Sequence, residues 1–149
     1  MPFTGSTMAV LLTGGVLGSR RGAASMFLYV LAGAVGLPVY TEQSSGFDTF
    51  VGATGGYLIG FIVAAFVVGK FAELRWDRTV PKSVVGFVLG SAIIYLFGVV
   101  GLMINLDMSL GGAVTNGVVP FLAWDAIKAA AAALLIPAAW KLTGEEPRT

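Results

Sequence analysis

Apolar residues in this chain come in long blocks, and polar or Gly/Pro punctuation separates one block from the next. Five blocks stand out, over residues 7–18, 23–37, 55–71, 84–104 and 118–140. Each predicts an apolar helix, and together they predict a bundle that crosses a membrane several times. The block 7–18 is shorter than the roughly 20 residues a full crossing needs, so its flanks must contribute. The second block stops at Pro38, and Pro137 inside the last predicts a kink or a frayed final turn. The expected fold is an all-α integral membrane bundle of five transmembrane helices, forming a single membrane-embedded domain over residues 1–149.

Composition strengthens this picture. The chain is 56% hydrophobic and 11% charged, where a soluble domain carries about 25% charged residues to cover its surface. The basic residues are also confined to alternate gaps. Arg20 and Arg21 lie between the first two blocks, and Lys70 at the end of the third is followed by Arg75, Arg78 and Lys82 before the fourth. Lys141 and Arg148 follow the fifth. The connections 38–54 and 105–117 carry Glu42, Asp48 and Asp107 with no Lys or Arg. Basic connections stay in the cytoplasm, so the chain is expected to be a multi-pass protein of the plasma membrane with a cytoplasmic C-terminus. Five crossings then place Met1 outside, and no signal peptide leads it there. A further helix preceding Met1 is the expected resolution; a true five-span protein is the alternative.

Candidate chemistry is sparse. There is no Cys and no His, which removes disulfides, thiol nucleophiles and the commonest metal ligand. A net charge of +1 gives no basic face for nucleic acid. No cofactor or metal is implied, and no nucleophile–base set argues for an enzyme. Asp125 and Lys128 are the exception to the pattern of charges in gaps. An ionised group inside a membrane helix costs about 2.5–3.5 kcal/mol on insertion scales. At i, i+3 the two share one helix face and can neutralise each other. They form either a polar binding spot inside the bundle or an ion pair that fixes helix rotation. Ahead of the third block, Thr54 is placed to cap its helix. The glycine pairs 14/18, 56/60 and 86/90 mark faces where helices can approach closely. Trp76, Trp124 and Trp140 are expected at the membrane interfaces, with Trp124 a candidate pocket wall beside Asp125.

Five segments, in order along the chain, carry a family resemblance. They are Pro2-Phe-Thr-Gly-Ser-Thr7, Gly18-Ser-Arg-Arg-Gly22, Gly36-Leu-Pro-Val-Tyr40, Gly52-Ala-Thr-Gly-Gly-Tyr-Leu-Ile-Gly-Phe61 and Pro120-Phe-Leu-Ala-Trp-Asp-Ala-Ile-Lys128. In this the chain resembles the BioY-type biotin transporter S components, from Pro2 to Lys128. The resemblance implies a six-helix fold whose first helix is missing here, and biotin uptake through a pocket near the outer face. It also implies an energy-coupling partner of one transmembrane subunit and two ATPases. Asp125 and Lys128 match the family's Asp-x-x-Lys pair, with Asp125 expected to meet the ureido ring. The loop 37–54 is expected to close over the ligand. The expected substrate-binding set is Asp125, Lys128, Tyr57, Thr54, Tyr40 and Thr4. The chain departs from the family at Ser6, where Gln is usual, at Ser19 and Ala53, where Pro is usual, and at Ala123-Trp124, where Pro-Gly is common. An S component for another small vitamin and a structural membrane protein are the competing readings.

Overall fold

The computed structural model describes residues 5–40, 43–75 and 79–142. Among them the elements are α1 (Ser6–Leu17), α2 (Ser19–Ala34), α3 (Phe47–Val51), α4 (Gly55–Glu73), α5 (Val80–Asn105), α6 (Leu110–Gly117) and α7 (Val119–Leu142). The five longer helices follow the five expected blocks in order. By length and composition, α4 and α5 are long and apolar enough to cross a membrane. The 12 residues of α1 rise only about 18 Å, short of a ~30 Å hydrocarbon core.

Three boundaries differ from expectation. α2 begins at Ser19, so Arg20 and Arg21 occupy its first turn and Gly18 alone separates it from α1. A helix can run past its apolar block because long basic side chains carry their charge out to the interface. The two polar connections also contain helix. α3 is little more than one turn, whereas α6 is an amphipathic segment started by Ser109, whose hydroxyl accepts from the Gly112 N–H. Finally, α7 continues past residue 137 to Leu142.

Large apolar side chains point outward, among them Phe27, Leu28 and Leu31 of α2 and Val88, Leu89 and Leu96 of α5. An apolar exterior of this extent suits lipid rather than water. In the interior, small residues let the helices meet closely around a core that includes Leu11, Leu58 and Ile94, and α4 is its central helix. Ala64 and Ala65 are fully buried. A Cβ on Gly14 would lie 2.5 Å from the Ala65 carbonyl oxygen, and one on Gly56 would lie 2.8 Å from the Gly101 Cα. Backbones thus meet directly along α4, as the glycine pair 56/60 predicts. The other pairs mark close approach at one member each, Gly14 as above and Gly90, where a Cβ would lie 2.4 Å from Leu11 Cδ2. Gly18 has left the helix at φ 82°, and a Cβ on Gly86 would meet only Phe71 Cδ2, at 3.8 Å.

The two ends of the bundle differ in chemistry. At one end the Ser19 N–H and hydroxyl donate to Glu73 Oε1 at 2.9 and 2.6 Å, and Lys70 pairs with Glu73 Oε2 at 3.0 Å. Arg20, Arg21 and Lys82 belong to this end. At the other, the Asn105 side chain donates to the Gly52 carbonyl at 3.0 Å, near the acidic connections. The charge segregation read from the sequence therefore appears as two chemically distinct ends. Glu42, Trp76, Arg78 and Arg148 lie outside the described residues.

Candidate functional site

The loop after α2 is fastened back onto that helix by two tyrosines. The Tyr40 hydroxyl donates to the Val30 carbonyl at 2.5 Å, and the Tyr29 hydroxyl to the Val39 carbonyl at 2.9 Å. Their rings meet edge to face, centroids 5.8 Å apart. Gly33 makes room for this: a Cβ there would sit 2.2 Å from the Tyr40 ring. Burial raises the Tyr40 phenol above its ordinary pKa, so it remains a donor.

Beneath this loop lies a small cavity, about 30 Å³, walled by Tyr29, Tyr40, Thr54, Tyr57, Tyr95 and Phe121. Ser6, Thr7, Leu58, Phe61 and Ile94 complete it. The volume is that of about one water molecule. A second, apolar cavity of about 340 Å³ adjoins it, sharing Ser6, Tyr29 and Phe61 and bounded otherwise by Ala9, Val10 and Met26. An aromatic chamber with several hydroxyls thus lies beside a larger apolar one bounded by α1, α2 and α4.

The Tyr57 hydroxyl donates to the Gly117 carbonyl at 2.7 Å and ties α4 to the end of α6. Phe121 packs against both Tyr57 and Tyr95, centroids 6.3 and 6.1 Å apart. Thr54 occupies the position before α4 but makes no capping bond, contrary to expectation. Its backbone is already helical, φ −87° and ψ −20°, whereas a capping residue is normally extended.

One turn beyond Phe121 on α7, Asp125 and Lys128 are 7% and 8% exposed. Lys128 Nζ lies 3.3 Å from Asp125 Oδ1, and Asp125 Oδ2 accepts from the Tyr95 hydroxyl. Lys128 and the Tyr95 hydroxyl between them compensate the carboxylate's charge within the bundle.

The structure thus brings Tyr40, Thr54 and Tyr57 to one cavity wall, and sets Asp125 and Lys128 one layer behind it. Thr4 lies outside the described residues. Trp124 is 39% exposed and does not line this cavity. Sequence reasoning missed Tyr95, which joins the wall to the buried pair. The available signal was its phenolic oxygen inside the apolar block 84–104.

The sequence model of the BioY family matches residues 1–145. The chain is 40% identical over 135 residues to the biotin transporter BioY of Thermotoga maritima, covering 91% of this chain and 78% of that protein. It is 33% identical over 142 residues to the biotin transporter BioY of Rhizobium etli, covering 91% and 75%. Its fold is similar to a crystal structure of the S-component for biotin from an ECF-type ABC transporter. There the TM-score is 0.80 at 24% identity, covering 91% of this chain and 73% of that one.

Proposed function

The chain belongs to the BioY family, and from that premise we propose that it is the membrane-embedded subunit that captures biotin for an ECF-type vitamin transporter. Membership makes it a membrane protein and a transport subunit rather than an enzyme. The basic end of the bundle, with the C-terminus, faces the cytoplasm of the plasma membrane on this reading. The cavity end faces outward, where the loop 37–54 closes over the ligand. A transmembrane coupling subunit and two ATPases power release inward.

The observation that carries this reading is the buried Asp125 carboxylate behind an aromatic chamber. A cyclic urea presents two N–H donors, and an ionised carboxylate only accepts, so the two are complementary. Tyr40, Thr54 and Tyr57 supply hydroxyls around the ring, and Lys128 steadies the carboxylate. The fused ring and its aliphatic chain exceed the 30 Å³ chamber, so the chain extends into the adjoining 340 Å³ cavity. Capture then requires the aromatic wall to move apart.

A second reading has one observation in its favour. Asp125 does not reach the cavity surface, and both its oxygens already have partners, as an ion pair that only fixes α7 against α5 requires. Isothermal titration of the detergent-purified protein with biotin separates the two. Saturable one-to-one binding, absent with an analogue whose ureido nitrogens are methylated, supports capture. No heat with biotin refutes it.

A further inference from the structure

We propose that Tyr95 is the latch of this site: it lines the cavity in front of Asp125 and its hydroxyl holds the carboxylate, so an incoming N–H donor reaches Asp125 only when that bond opens. The inference rests on the reading above, in which Asp125 receives the N–H groups of a cyclic urea.

Three observations converge on Tyr95. Its hydroxyl donates to Asp125 Oδ2, while Lys128 holds Oδ1 at 3.3 Å. Its ring forms part of the cavity wall, whereas Asp125 does not. The bond also runs from α5 to α7, so it fastens two helices across the floor of the chamber. A donor arriving in the cavity meets the Tyr95 ring before it meets the carboxylate. Closed, the latch satisfies a buried charge that would otherwise lack a donor on that oxygen. Open, it exposes the carboxylate to the ligand and loosens α5 from α7.

The latch also sets specificity. A ligand that offers an N–H replaces the bond it breaks. One that offers only an ether, a thioether or a methylated nitrogen breaks the bond and returns nothing, leaving the carboxylate poorly satisfied. Selection against such analogues is therefore built into the unliganded state.

The test is Tyr95→Phe, which keeps the ring and removes the competing hydroxyl. Biotin affinity by titration should rise roughly tenfold or more, the equivalent of one charge-assisted hydrogen bond no longer broken on binding. Stopped-flow association should quicken, and in an Asp125→Asn background Tyr95→Phe should have no such effect. A measurement on the unaltered protein guards against a misfolded variant. Biotin should shift tyrosine absorption to shorter wavelength as a phenol stops donating to a carboxylate, and Tyr95→Phe should abolish the shift. If the parent binds biotin and folded Tyr95→Phe protein binds it equally or more weakly, the hydroxyl does not compete and the latch is wrong. A parent that shows no biotin binding overturns the underlying reading, and the latch with it.

Discussion

Replacing Asp125 with Asn keeps the side chain's shape while removing its charge. At 3.3 Å the Asp125–Lys128 attraction is about 5 kcal/mol for an effective dielectric near 20, before desolvation is counted. Breaking a buried pair from one side typically costs about 3–5 kcal/mol, because the remaining charge stays in the interior. Asp125→Asn should therefore lower stability, and Lys128→Met should do the same from the other side. The double variant removes both charges and should regain much of the loss. Binding follows a different rule. An N–H bond to a carboxylate contributes about 1.5–3 kcal/mol, so every variant with Asn at 125 should bind biotin about ten- to a hundredfold more weakly. Lys128→Met should keep more of its affinity, since the acceptor remains. Melting in detergent reads the first quantity and titration calorimetry the second. If the double variant regains biotin affinity together with stability, the pair serves only to orient α7, and the carboxylate is not a ligand contact.

Three further outcomes are expected. Gly56→Ala should destabilise the protein by about 1–3 kcal/mol, since its Cβ would fall 2.2 Å from the Phe97 carbonyl oxygen, whereas Gly86→Ala, with nothing nearer than 3.8 Å, should be tolerated; melting of the two in one detergent compares them. Tyr57→Phe removes the bond to the Gly117 carbonyl and should cost about 1 kcal/mol by the same measurement. Cysteines placed singly at the exposed positions of Asp48 and Arg21 should label from opposite faces of intact cells. Labelling of both from outside refutes the orientation.

The parts of this fold that were legible in the sequence are those governed by the membrane. A long apolar block has few solutions other than a helix, so α4 and α5 were readable almost to their ends. Where polar residues enter, the same reasoning failed. The segment around Thr115 and Asn116 read as a loop, yet those side chains bond back to Gly111 and Gly112 and α6 forms. Arg20 and Arg21 read as a connection because charge was equated with the outside of a helix. Asp125 and Lys128 were legible for the opposite reason, since charge within an apolar block demands an explanation. Tyr95 was not, because a lone phenol in an apolar block does not say what it faces, and only the position of α7 shows which side of α5 meets a carboxylate.

The start of α2 is capped by a residue far away in sequence, Glu73, and not by its own neighbours. At the same place a Cβ on Gly69 would lie 2.4 Å from the Gly18–Ser19 backbone. Three helices are therefore pinned at one end by contacts that allow neither separation nor sliding without uncapping α2. The cavity sits at the far end, where the fastening is by tyrosine hydroxyls that can exchange partners. Such a bundle has a fulcrum. It splays more readily at the cavity mouth than at the Ser19–Glu73 end, like tweezers joined at one tip, so a force applied at the joined tip meets a stiff handle and is passed on to the grip.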